Sequence, residues 1–165
     1  MIVLSEAKRL FINRWGEISP NWGISKAMGQ IHALLLISED ALCHDQIMKA
    51  LRISRGNVHN HISQLMEWNL IGKKNLLGSR KEYYFAEKDL KKIIKHIILV
   101  RKRKELEPLQ KLVEECKLVA DSTPQNETFN QVLDDINLYS TKADKLLTKV
   151  LEIESTWLGN LIQRI

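Results

Sequence analysis

A chain of 165 residues, 44% of them apolar, has enough hydrophobic material for one compact domain or a small domain with a long appendage, which excludes a disordered polypeptide. Its longest apolar runs, Ala33 to Ile37 and Ile97 to Val100, fall far short of the roughly 18 residues that a membrane span needs. The net charge of +5 is unevenly divided: residues 1–104 hold 19 Lys and Arg against 9 Asp and Glu, and residues 105–165 hold 6 against 11. The basic front is a plausible footprint for nucleic acid or an anionic membrane, with the acidic tail kept away from that surface. The start MIVLSEAKRLF turns charged within a few residues and carries no small-residue cleavage site, so a cytoplasmic protein with no membrane role is expected. Cys43 and Cys116 lie far apart with no CxxC partner and read as free thiols.

In chain order, Ser5 can cap a helix carrying Ala7, Leu10, Phe11 and Ile18 near one face, and the segment from Gly16 to Gly23, with Pro20 inside it, should break that pattern. A second helix from about Ser25 sets Met28, Ile31, Leu34, Leu35 and Ile37 at helical spacing and reads as the buried helix of the front half. A short helix from Asp45 to Leu51 follows. Ser54 then supplies the N-cap of the next, so two helices joined by the tight turn from Arg52 to Ser54 form a helix-turn-helix candidate. After Trp68 the period changes to that of strands: Leu70 and Ile71, then Lys73 and Lys74, a turn at Leu77-Gly78-Ser79, then Glu82-Tyr83-Tyr84-Phe85. A helix pair followed by a hairpin is a winged helix, and Arg80 and Lys81 make its wing basic.

From Glu87 onwards the pattern is helical. Leu90, Ile93, Ile94, Ile97 and Ile98 form a stripe that Leu106, Leu109, Leu112, Val113 and Cys116 continue, with Pro108 expected to kink or split the helix. Asp121 to Asn126 reads as a turn, and a last helix from about Glu127 carries Val132, Leu133, Ile136, Leu146, Leu147, Val150, Leu151, Leu158, Leu161 and Ile162. Stripes of this length point to a partner chain as their cover, the alternative being an intrachain hairpin packed on the front domain.

The helix from about 54 to 68 carries the functional reading. At about 100° per residue, Val58, Ile62, Leu65 and Met66 share one side, which must face the core. Opposite lie Gly56, Asn60, Ser63 and Glu67, flanked by Asn57 and Gln64, with Arg55 and His59 at the border. Asn and Gln can pair with adenine and Arg with guanine, and Gly56 removes a side chain where a helix would approach DNA closest. The helix N-terminus at Ser54 can present amides to phosphate.

His59 and His61 do not make a metal site, because two residues on a helix are about 200° apart and cannot share an ion. His32, His44 and His96 bring no further ligand constellation, and the letters His-Asn-His match a nuclease motif in name only. No nucleophile elbow, phosphate loop, zinc-protease signature or dinucleotide fingerprint is present, so neither an enzyme nor a cofactor is expected.

Several blocks, namely Trp22 to Ile37, Asp45 to Leu51, Ser54-Arg55-Gly56-Asn57-Val58, Leu65, Trp68 and Leu70, and Gly78-Ser79-Arg80-Lys81-Glu82-Tyr83-Tyr84, resemble the GbsR branch of MarR-like transcriptional regulators over residues 8–110. The resemblance implies a homodimeric winged-helix repressor or activator with the long C-terminal helices as its interface. It also implies that Ser54 to Asn57 open the recognition helix and that Arg80 and Lys81 sit on the wing. Cys43 and Arg52 depart from it, standing where a Ser or Thr cap and a turn glycine are usual. That branch is associated with choline-like effectors, which want an aromatic cage. Trp15, Trp22, Tyr139 and Trp157 are available, but their spacing assembles no cage, and the effector is left unassigned.

The sequence thus predicts a mainly α protein. A winged helix-turn-helix DNA-binding domain, helices plus a two-stranded wing, occupies residues 1–86, and long dimerisation helices occupy residues 87–165. The expected function is a homodimeric, sequence-specific transcriptional regulator of double-stranded DNA, open to a small-molecule effector. Its DNA-binding residues are Ser54, Arg55, Gly56, Asn57, His59, Asn60, Ser63 and Gln64 on the helix and Lys73, Lys74, Arg80 and Lys81 on a wing spanning about 70–86. The rival reading is a winged helix that docks an acidic protein and reads no DNA.

Overall fold

The computed structural model describes residues 4–120 and 127–153, and the chain divides between Ile93 and Ile94 into two compact units. The first begins with helix α1 (Glu6–Ile18), capped by Ser5, whose hydroxyl accepts from the Lys8 amide at 3.3 Å. The pattern does not break at Gly16, since α1 runs on to Ile18 and passes into a single 3-10 turn (Ser19–Trp22). The reason is the crossing with helix α2 (Lys26–Ile37), where Gly16 lies against Gln30, and a Cβ on Gly29 would collide with the Ser19 side chain. Ser19 is itself buried, its hydroxyl donating to the Trp15 carbonyl at 2.6 Å. The buried stripe of α1 is therefore Ile12, Gly16 and Ser19, at i, i+4 and i+7, and not the expected face: Leu10 and Ile18 are exposed.

Helix α2 is buried nearly all round through Met28, Ile31, Ala33, Leu34 and Leu35, as its spacing predicts, with Ser25 as its cap. A two-residue strand β1 (Leu42–Cys43), which the sequence gives no sign of, leads directly into helix α3 (His44–Leu51). Gln46 Oε1 accepts the Cys43 amide at 2.8 Å, so the start of α3 is capped although Cys43 is not a hydroxyl residue. Arg52 then ends α3 in the left-handed region (φ 56°), a place that usually suits glycine.

Helix α4 (Arg55–Glu67) follows and stops at Asn69 (φ 53°), where Leu70 and Asn69 donate to the carbonyls of Leu65 and Met66. Strands β2 (Ile71–Asn75) and β3 (Glu82–Ala86) form the expected antiparallel hairpin, with Lys73 opposite Tyr84 and Asn75 opposite Glu82. Its turn closes through the Ser79 amide on the Leu76 carbonyl at 3.0 Å, with Gly78 at φ 80°. The sheet has three strands in the order β1-β3-β2, because Leu42 and Cys43 pair with Tyr84 and Tyr83. Pairing with β1 anchors the wing to the start of α3.

Helix α5 (Leu90–Arg101) continues into a π-helical turn (Lys102–Leu106) and then α6 (Glu107–Ala120). The widened turn lies just ahead of Pro108, which lacks the amide and whose ring would crowd the carbonyl four residues back. Within the second unit the π-helical turn and α6 pack antiparallel on α7 (Glu127–Ile153), the turn fastened by Lys102 to Asp144 at 2.9 Å and α6 by Lys117 to Asp134 at 2.6 Å. Val113 and Leu133 are buried there, while Leu112, Leu118, Val132, Tyr139, Leu146 and Val150 stay exposed. The expected turn at 121–126 and the apolar positions Leu158, Leu161 and Ile162 lie outside the described residues.

Candidate nucleic-acid interface

The core side of α4 is Val58, Ile62 and Leu65, each at most 2% exposed, and this fixes what faces outward. Gly56, Asn60, Ser63 and Gln64 are all exposed, with Arg55 and His59 beside them and Asn57 half-buried. The Ser54 hydroxyl caps the helix by accepting from the Asn57 amide at 3.3 Å. A Cβ on Gly56 would meet nothing within 4 Å, so the fold places no demand on this glycine.

Several candidates are already held. The Ser63 hydroxyl donates to the His59 carbonyl at 3.0 Å. Gln64 Oε1 lies 3.1 Å from His61 Nδ1, and the other nitrogen of that ring is 3.3 Å from the Ser25 hydroxyl that caps α2. His61 therefore ties α4 to α2, while His59 points elsewhere, stacking on His44 with centroids 6.1 Å apart. His44 stands edge-on to Tyr84 at 4.9 Å, and its pKa is lowered, first by burial and then by the neighbouring His59 and Arg55. The described residues hold no group of three or more His, Cys, Asp or Glu able to take a metal ion.

The feature that spacing could not reveal is Asp45. From the first turn of α3 its carboxylate takes Arg55 at 2.7 Å and Lys81 at 2.6 Å, joining the start of α4 to the wing. The hydrogen bond from Lys81 holds the Asp45 carboxyl below the usual carboxylate range, and the same bond raises the Lys81 ammonium. On the hairpin, Lys73 pairs with Glu82 at 2.6 Å, the Tyr84 hydroxyl donates to that carboxylate at 2.8 Å, and Lys74 lies 5.9 Å from the Phe85 ring centre. Arg80 is exposed with no side-chain partner among the described residues. Of the aromatic residues considered for an effector, Trp15 and Trp22 pack edge-on at 5.3 Å, Tyr139 is exposed on α7, and Trp157 lies outside the described residues.

This is the winged helix-turn-helix fold of transcriptional regulators. Residues 29–73, from α2 to the middle of β2, match the family model described as bacterial regulatory protein, arsR family. The chain is similar to a crystal structure of a transcriptional regulator at 14% identity and a TM-score of 0.72, over 90% of this chain and 98% of that one. A Staphylococcus aureus MepR mutant bound to an oligodeoxyribonucleotide overlaps at 16% identity and a TM-score of 0.41, over 87% and 90% of the two chains. A transcriptional regulator from Thermotoga maritima overlaps at 12% identity and 0.42, over 85% and 91%. No curated protein matches the chain. These matches reach the winged-helix class and not the GbsR branch within it. Among the described residues no helix is long and apolar enough to cross a membrane.

Proposed function

We propose that this chain is a homodimeric, sequence-specific DNA-binding transcriptional regulator of the cytoplasm. Helix α4 enters the major groove, where Asn57, Asn60 and Gln64 offer amides to adenine, Arg55 a guanidinium to guanine, and Ser63 and His59 supplementary contacts. Gly56 lets the helix approach, and the helix N-terminus at Ser54 faces a phosphate. Lys73, Lys74, Arg80 and Lys81 bring the wing to the adjacent minor groove or its backbone. Residues 1–86 form the DNA-binding part and residues 87–165 the dimerising part, with no effector assigned.

The single observation that carries this reading is the division of α4. Three core residues lock one side, and a capped, small and polar outer side stands beside a basic hairpin. Support for the dimer comes from large apolar side chains left exposed on the second unit, with Leu118 at 74% and Leu146 at 64%. The test is a salt titration on a random DNA duplex with wild type and Arg80→Ala. The expected result is binding at low salt, falling linearly on a log-log scale, with a shallower slope for the variant. No binding at low salt would move the assignment to a protein-docking winged helix.

A further inference from the structure

A cavity of about 900 Å³ opens in the first unit between the start of α1, the length of α3 and the turn end of the wing. Its volume is in the range of small-molecule sites. Its lining is lopsided in charge: Arg9, Lys49, Arg52 and Lys81 face a single carboxylate, Asp45. That carboxylate is already shared between Lys81 and Arg55. Among the described residues neither Lys49 nor Arg52 has an ion-pair partner, and the Arg9 side chain donates to the Leu4 carbonyl at 3.2 Å and pairs with no carboxylate. Like charges gathered on a concave wall raise the local concentration of anions. Arg52, whose left-handed backbone at φ 56° ends α3, adds its guanidinium to the same wall.

We infer that this cavity binds a small molecule bearing two or more negative charges, a phosphate ester or a polycarboxylate, held by Arg9, Lys49 and Arg52 and reaching Lys81. An anion that takes Lys81 from Asp45 also withholds that ammonium from a DNA phosphate, which couples the cavity to DNA reading. That coupling rests on the function proposed above. Binding of the anion does not.

The test uses the full chain and inorganic pyrophosphate in isothermal titration calorimetry at constant ionic strength. The Arg9→Gln/Lys49→Gln variant, both substitutions on exposed side chains, should weaken pyrophosphate binding at least tenfold. Arg14→Gln/Lys26→Gln, with the same charge change on exposed side chains of α1 and α2 outside the cavity, should leave it as in wild type. Absence of binding, or an equal loss in both variants, overturns the inference. A second arm follows a fluorescent duplex under rising pyrophosphate. A separate effector seat lowers duplex affinity to a plateau and no further, because coupling between two sites is finite. Loss that keeps growing with concentration means that a DNA phosphate occupies the same seat, which also overturns the inference. Should the duplex not bind at all, the function proposed above fails while calorimetry still decides the cavity.

Discussion

Asp45 and Lys81 hold each other at 2.6 Å between the first turn of α3 and the wing, and the same carboxylate holds Arg55 at 2.7 Å. Both cations are proposed DNA contacts, so a phosphate has to displace Asp45 to reach them. The pairs are exposed, and such pairs yield readily. Asp45→Asn removes the competitor. Affinity for a random duplex should rise, and the log-log salt slope should steepen by about 1 to 2 as Arg55 and Lys81 turn to phosphate. An unchanged slope would separate Asp45 from the interface.

Gly56→Ala pulls stability and binding apart. The added methyl meets nothing in the fold, and alanine favours a helix over glycine by up to about 1 kcal/mol, so the melting temperature should rise slightly. Duplex affinity should fall severalfold because the methyl stands where α4 meets the groove. An affinity equal to wild type would mean that α4 does not approach DNA at this point.

His32 governs part of the acid response. It is 3% exposed among the core of α2, with Nε2 lacking a hydrogen-bond partner among the described residues, and burial lowers its pKa from 6.5 to about 4. The folded value lies below the unfolded one, so the stability it contributes is complete above about pH 6.5 and is lost as pH falls towards 4. The loss over that window is at most about 3 kcal/mol. Urea midpoints measured from pH 7 to pH 4 should fall less steeply for His32→Gln than for wild type. Parallel curves would assign the acid response to other groups.

Leu146→Glu tests the dimer. Leu146 is 64% exposed within its own chain, and a surface substitution of this kind changes monomer stability by less than about 0.5 kcal/mol. At a helical interface it would bury an unpaired charge. Sedimentation should show a shift from dimer to monomer, with near-native helicity by circular dichroism. A wild-type profile would place the interface elsewhere.

Periodicity and capping made most of the first unit legible. Ser25 and Ser54 start their helices as expected, Gly78 turns the hairpin, and the angular positions of Val58, Ile62 and Leu65 identify the core side of α4. What stayed hidden depends on distant segments meeting. Strand β1 is only two residues long and exists because Tyr83 and Tyr84 pair with it. The exposed face of α1 departs from its apolar periodicity because the crossing at Gly16 and Gly29 selects Ile12 and Ser19 for burial. Asp45 sits where any first-turn acid sits, and nothing local reports that Arg55 and Lys81 converge on it from 10 and 36 residues away.

The most direct measurement of the central claim is selection of bound sequences from a random duplex pool, run with wild type and Asn60→Ala. Wild type should select an inverted repeat with half-sites about one helical turn apart. Asn60→Ala should lose about 1 to 3 kcal/mol of specific affinity and relax preference at one base pair in each half-site. Recovery of no shared sequence by wild type, or of the same sequence with the same affinity by Asn60→Ala, would contradict it.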